Sequence, residues 1–551
     1  MLIQQSAGDR PAGNTRGTRS VVMARNGAIA TSQPLATAAG LKVLQDGGNA
    51  IDAAVTAAAV LSVVEPTMNG PGGDLFAIVY SAKDHKVHGL NASGSAPAAA
   101  TLDEFKKRNL QHVPLRGELS VSVPGVVDGW NELLTKHGTR TLAQALEPAI
   151  RYARDGYAVS EIIAGQWKEV ESLLSRDAKT AAVFLPGGKA PAPGDVFKNP
   201  ALASSLEQIA KGGRDVFYKG AMAKAIADDM QRRNGLLTAE DLADHHADWV
   251  EPLSTTYRGY QVLELPPNTQ GVTALEMLNI LEGFDLKSLG HNTAAYLHVM
   301  VEAKKIAFAD RGAWIGDPSS TPPKAIERML SKDYAAERRK EIDPDKASEY
   351  KALTLTGTAA PPADPEPAGR GDTIYMTAAD SQGNVISLIQ SLYETFGSGI
   401  VAGDTGIVLH DRANLFSLTP GHPNQIAPGK RPFHTLVPAM VMKDGAPWLS
   451  FGVMGGDMQA QGHAQVLANL IDFGMNVQEA GEAPRFRHSG NGLALESAFT
   501  ADARNGLTAR GHHVTGGTGA WGGFQGILID PKTRVLMAGS DPRKDGMAAG
   551  W

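Results

Sequence analysis

Cysteine is absent from all 551 residues. That excludes disulfides, thiolate nucleophiles and zinc sites built on thiolates, and it agrees with a reducing, cytoplasmic address. No run of eighteen or more uncharged apolar residues occurs, so no membrane-spanning helix is expected. The opening stretch, Met1 to Gly27, is rich in Arg, Gly and Ser and lacks the apolar core of a secretory signal; it reads as a flexible, solvated arm, residues 1–27. The formal charge of -6 offers nothing to nucleic acid or to an anionic membrane surface. Aromatic residues make up only 6% of the chain. No Gly-x-Ser-x-Gly elbow stands between a strand and a helix, which counts against a Ser-His-Asp hydrolase. The glycines of Asn69-Gly70-Pro71-Gly72-Gly73-Asp74 follow a helix and lack the strand-Gly-x-Gly-x-x-Gly-helix order of a dinucleotide site. No cofactor and no metal is expected. No internal repeat is found.

What the chain does have is length, glycine and alanine. A chain this long exceeds one ordinary core and calls for several domains or one large layered unit. The 61 glycines suit close layering of elements. Pro34 occupies a first helical position, and a helix over Leu35 to Asp46 closes at Gly47-Gly48. Asn49 caps a second helix, Ala50 to Val64, apolar on nearly every face and stopped by Pro66. Leu75 to Tyr80 reads as a core strand. Farther on, Ala294 to Arg311 is helical, with Leu297, Val301, Lys304 and Phe308 on neighbouring turns, and is expected in an outer layer. Gly357 to Gly371 holds four prolines and no periodicity, the pattern of a loose segment.

Two strands follow, Thr373 to Ala379 and Val385 to Leu392. With Ser381-Gln382-Gly383 as a three-residue hairpin loop, Asp380 pairs with Asn384, Thr377 faces Ser387, Tyr375 faces Ile389 and Thr373 faces Ser391. Two hydroxyls thus meet at the open end of the hairpin, beside the loose segment. A peptide bond between Asp372 and Thr373 is exposed to cleavage there. A threonine freed at its amino end carries its own base, because an α-amine titrates at about 7.7–8.0. Ser391 is placed to orient that pair. The backbone N–H groups of Gly455 and Gly456 are unobstructed donors for an oxyanion. By themselves these signals also fit an ordinary hairpin and an ordinary glycine turn.

A longer series of motifs narrows the choice. Gly371-Asp372-Thr373 to Asp380, Gly383-Asn384 and Phe396 to Gly403 resemble the processing region of the γ-glutamyltranspeptidases. So do Asp46 to Ala54, Ser122-Val-Pro-Gly125, Phe308-Ala-Asp-Arg311, Gly316-Asp-Pro318, Lys430-Arg-Pro432, Ala483 to Phe486 and Gly539 to Pro542, in family order. The resemblance implies an α+β fold, a four-layer αββα sandwich of N-terminal-nucleophile type. It implies a large subunit, residues 28–372, and a small one, residues 373–551, from one precursor, with association of such pairs left open. It carries catalytic roles onto Thr373, Ser391, Gly455 and Gly456, with cleavage between Asp372 and Thr373.

Substrate recognition departs from the family pattern. The family's arginine for the γ-glutamyl α-carboxylate falls on Ser93, and its acid for the α-amine falls on Leu415. Tyr393 stands for an asparagine, and His434-Thr435 stands for a pair of serines. Tyr393, Arg412, His434 and Thr435 are therefore the candidates for a different acyl pocket. The expected reaction is, first, hydrolysis of a γ-glutamyl-type or similar short carboxy-acyl amide, with water favoured over an amino-acid acceptor; the second reading, since both charged partners are missing, is a dicarboxylic monoamide without an α-amine such as a glutaryl or oxamate-like compound. An uncleaved, inactive homologue is the remaining reading.

Overall fold

The computed structural model describes residues 18–355, 360–361, 372–490, 492–516 and 521–551. Two seven-stranded sheets lie at its centre. One runs, in spatial order, Val22–Ala24, Leu536–Ser540, Phe524–Ile529, Ala446–Val453, Ala439–Lys443, Tyr260–Glu264 and Leu253–Tyr257. The other runs Met547–Gly550, Gly27–Thr31, Asp372–Asp380, Val385–Tyr393, Asp74–Ser81, Lys86–Ala92 and Asp248–Val250. Both sheets mix strands from before and after position 373, so neither prospective subunit holds a complete sheet.

Alternation along the strands explains the layers. From the strand Asp372–Asp380, Ile374, Met376 and Ala378 point outward into a core shared with the helices Pro34–Gln45 and Ala50–Val64. Tyr375 and Ala379 point the other way, into an inter-sheet core with Leu263, Met440 and Ile527. The far face of the first sheet, with Val262, Val441 and Phe451, packs on the helices Gly271–Leu281 and Met458–Ile471. Helix, sheet, sheet, helix is the expected αββα sandwich. Among the described residues no helix is long and apolar enough to cross a membrane.

The two early helices form where expected. Pro34 sits in the first turn of one, and Asn49 caps Ala50–Val64 through a capping box with Asp52. All fifteen residues of the second helix are buried. Two expectations are corrected. Residues 18–27 of the supposed arm are ordered, because Val22–Ala24 pairs antiparallel with Leu536–Ser540 at a sheet edge. The helix Ala294–Trp314 is no outer helix: it packs between Gly271–Leu281 and Ala501–Ala509 and buries even Lys304 and Glu302. Its charged side chains imitate amphipathicity, but they are spent on internal partners. The loose segment Gly357 to Gly371, residues 360 and 361 apart, lies outside the described residues.

Asp380 ties the hairpin turn to the layer above it. Its carboxylate accepts Gln382 N–H at 2.9 Å, Asn384 N–H at 3.0 Å, Asn384 Nδ2 at 2.9 Å and, from the helix, Ala50 N–H at 2.9 Å. Losing hydrogen bonds to a buried charge costs about 1.5–3 kcal/mol each, in part recovered by water. Asp380→Ala should therefore lower the midpoint of thermal unfolding by several degrees and by more than Asn384→Ala, which differential scanning calorimetry measures.

Candidate active site

The hairpin strands meet with Ile374 opposite Gln390, Tyr375 opposite Ile389 and Thr377 opposite Ser387, and the Asp380 N–H bonds the Asn384 carbonyl at 3.1 Å. The expected register holds from Ile374 to Asp380. At the open end it does not: Asp372 pairs with Tyr393, so a bulge takes up one residue and Thr373 has no direct Cα partner. The bulge re-aims the side chain, and the Thr373 hydroxyl donates to Ser391 Oγ at 3.3 Å. Thr373 is 1% exposed and Ser391 fully buried. Ser391 Oγ also accepts the Tyr393 N–H at 2.7 Å.

The glycine loop that might have suggested a nucleotide site serves this strand. A Cβ on Gly73 would lie 2.4 Å from the Ser391 carbonyl oxygen, and one on Gly72 would lie 2.1 Å from that of Val408. Only glycine lets the two backbones approach so closely.

Tyr393 ends its strand with φ of 80°, a conformation that a tyrosine adopts only under constraint. Its ring lies under the guanidinium of Arg412, 4.6 Å from its centre, and its hydroxyl has no hydrogen-bond partner. Arg412 is fully buried. Its Nη1 donates to Thr435 Oγ1 at 3.1 Å, while Nε and Nη2 donate to nothing. Leu415 belongs with Tyr393 to one buried apolar cluster. Ser93 is turned inward, its hydroxyl donating to Asn91 Oδ1 at 2.7 Å and accepting Asn268 Nδ2 at 3.2 Å.

His434 does not face Arg412 as a donor. Leu436 N–H donates to its Nδ1 at 3.3 Å, which leaves the proton on Nε2, and Nε2 donates to Asp74 Oδ2 at 3.0 Å. Burial, then the Arg412 charge, holds this imidazole neutral, far below its ordinary pKa. Asp74 was not singled out from the sequence. Burial lifts its pKa to about 7, against the opposing pull of Arg412, the Gly94 N–H and Arg431. Asp411, beside Arg412 in sequence, is likewise lifted to about 7 by burial, with Arg116 opposing.

Gly455 and Gly456 have φ of 108° and 60° and lead through Asp457 into the helix Met458–Ile471. Their N–H groups therefore sit at the electropositive end of that helix. Gln270, also missed, joins them to the segment that holds Thr435: its Nε2 donates to the carbonyls of Thr435 at 2.7 Å and of Gly456 at 3.2 Å. Contacts thus run unbroken from Thr373 through Ser391, Tyr393, Arg412, Thr435 and Gln270 to Gly456. The side chain of Asp372 lies outside the described residues.

Among the described residues one group of possible metal ligands occurs elsewhere, in His298, Glu302 and His512. His298 Nδ1 and His512 Nε2 are 2.7 Å apart, and Lys305 Nζ is 3.0 Å from Glu302 Oε1. That is the geometry of a shared proton and an ion pair, since two nitrogens on one zinc at about 2.0–2.1 Å lie farther apart.

The raised pKa of Asp74 has a sign for stability. A carboxyl whose folded pKa exceeds its ordinary 3.8 favours the folded state at low pH, and the contribution is lost as pH rises toward 7. Asp74→Asn should flatten the fall in melting temperature between pH 4 and pH 7, read by differential scanning fluorimetry; an unchanged slope would contradict the assignment.

Sequence comparison now places the chain. The pattern of the gamma-glutamyltranspeptidase family matches residues 36–551. The chain is 40% identical over 528 residues to the "Glutathione hydrolase-like YwrD proenzyme" of Bacillus subtilis, spanning 94% of this chain and 97% of that one. It is 37% identical over 518 residues to the "Acylase ACY 1 proenzyme" of a Pseudomonas species, spanning 92% and 90%. The crystal structure of cephalosporin acylase from Bacillus halodurans superposes with a TM-score of 0.90 at 41% identity, over 100% of this chain and 99% of that one. With the αββα sandwich already in place, these likenesses make this chain a member of the gamma-glutamyltranspeptidase family.

Proposed function

We propose that the chain is the precursor of an amidohydrolase that cuts itself before Thr373 and then uses Thr373 as nucleophile and base in one residue. In the intact chain the Thr373 nitrogen is an amide and has no basic lone pair. Cleavage turns it into an amine that titrates near neutrality, beside a hydroxyl already held by Ser391. The freed hydroxyl attacks the substrate's carbonyl carbon, and the amine takes its proton. The N–H groups of Gly455 and Gly456, helped by the helix behind them, receive the negative oxygen. Collapse expels the amine product and leaves an ester on Thr373, which water hydrolyses.

The observation that carries the substrate reading is Arg412. Each buried donor left without an acceptor costs about 1–3 kcal/mol, and Arg412 has two. A carboxylate on the acyl group would receive both, with the Tyr393 hydroxyl as a further donor. Arg412 takes the place of the arginine missing at Ser93. No acid stands at Leu415 to hold an ammonium, and Asp411, the nearest carboxylate in sequence, has Arg116 Nη1 3.6 Å away. The reading that fits best is therefore an acyl group with a terminal carboxylate and no α-amine, a glutaryl-type amide. The relatives named acylases support hydrolysis of an acyl amide, and those named glutathione hydrolases support the γ-glutamyl one.

Two experiments test this. Denaturing electrophoresis and amino-terminal sequencing should give a second chain beginning Thr373-Ile374-Tyr375-Met376, and Thr373→Ala should give one uncut, inactive chain; a cut Thr373→Ala protein would end the proposal. With glutaryl, γ-glutamyl and oxamyl amides of one chromophoric amine, the glutaryl compound should be turned over best. Arg412→Gln should then lower kcat/KM for it about 100-fold, the loss of about 3 kcal/mol expected for a buried charge-assisted pair.

A further inference from the structure

The two glycines offered as oxyanion donors pose a mechanical problem. Both have positive φ, and glycine crosses between backbone conformations at little cost. A donor that can turn away is of little use, because preorganisation is what gives such donors their effect. Something outside the turn must hold it.

We propose that Gln270 and Arg311 are positioning residues that lock the Gly455-Gly456 turn to the wall of the acyl pocket. Gln270 begins the approach to the helix Gly271–Leu281 and is fully buried. Its backbone N–H bonds the His434 carbonyl at 3.1 Å, so its main chain is already fixed to the pocket wall. Its Nε2 then spans two walls of the site, with the Thr435 carbonyl at 2.7 Å on one side and the Gly456 carbonyl at 3.2 Å on the other. A carboxamide can rotate by half a turn and exchange donor for acceptor. Arg311 prevents that: its Nη1 donates to Gln270 Oε1 at 2.7 Å, and to Asp457 Oδ1 at 2.6 Å. The guanidinium therefore holds both the orientation of the amide and the residue after the turn. Phe308 and Phe433 lie against its faces, their ring centres 3.9 and 5.1 Å away, and keep it in place.

Fixing the Gly456 carbonyl fixes the planes of the peptides around it, and with them the direction of the donors. Because the other end of the bridge is Thr435, whose hydroxyl receives Arg412, the acyl carboxylate and the oxyanion are registered to one another through a single side chain. Remote binding of the carboxylate then improves the chemical step and not affinity alone. This catalytic half rests on the function proposed above; the geometric half does not.

The test uses Gln270→Met, which keeps the length of the side chain and cannot donate, Gln270→Glu, which can donate to at most one of the two carbonyls, and Arg311→Lys, which keeps the charge. Each is assayed as processed protein, with rates expressed per active site counted by the burst of released amine. For the glutaryl amide kcat should fall about 30-fold or more with KM changed less than about threefold, as misdirected oxyanion donors require. For a pentanoyl amide, which lacks the carboxylate, the fall should be smaller, so that the preference of the parent enzyme shrinks. A role in folding alone would lower the number of titratable sites and leave kcat per site unchanged; that result in both Gln270 variants overturns the proposal. Crystals of Gln270→Met decide the geometry separately: the Gly455-Gly456 peptide should be turned or split between orientations. A turn identical to that of the parent overturns the bridge whether or not Thr373 proves to be the nucleophile.

Discussion

Everything at this site depends on the pairing of Asp372–Asp380 with Val385–Tyr393, and on the bulge that ends it. Regular pairing would set Thr373 directly across from Ser391; the bulge removes that Cα pairing, yet the Thr373 hydroxyl still reaches Ser391 Oγ at 3.3 Å, and the next strand ends in the strained turn at Tyr393. That strain is held by burial: Gly73 closes against the strand from one direction, and Arg412 covers the Tyr393 ring from the other. A hairpin with its own short loop would be marginal alone. Here it is the middle of a seven-stranded sheet and carries a packed core on both faces.

The second feature is the cost stored in the pocket. Arg412 is buried with donors unmade, Asp74 is a carboxylate lifted toward neutral pKa, and His434 is kept uncharged to serve it. A fold selected for stability alone would replace this group with apolar residues.

Much of the framework was legible in the chain itself. Asn49 and Pro34 start their helices for local reasons, and the hairpin loop at Gly383 sets the register up to Ile374 by counting alone. Local rules fail where a partner is distant. The strand Val22–Ala24 looked like solvated arm because its pairing partner lies at Leu536–Ser540. The helix Ala294–Trp314 looked amphipathic because its charges meet their partners inside the protein: Arg311 meets Asp457, and Tyr350 meets Glu302.

The sequence by itself determined the family, the layered fold and the threonine with its facing serine, since short-range pairing and turn chemistry suffice for the last and a long ordered series of motifs for the first. Only the tertiary structure decided how the residues around Thr373 are joined: that Arg412 lies over Tyr393 with free donors, that His434 turns to Asp74, and that Gln270 bridges Thr435 and Gly456. These residues are scattered over most of the chain. What unites them is the order of strands in two sheets, and that order is set by packing among all the elements at once, not by any stretch of residues read alone.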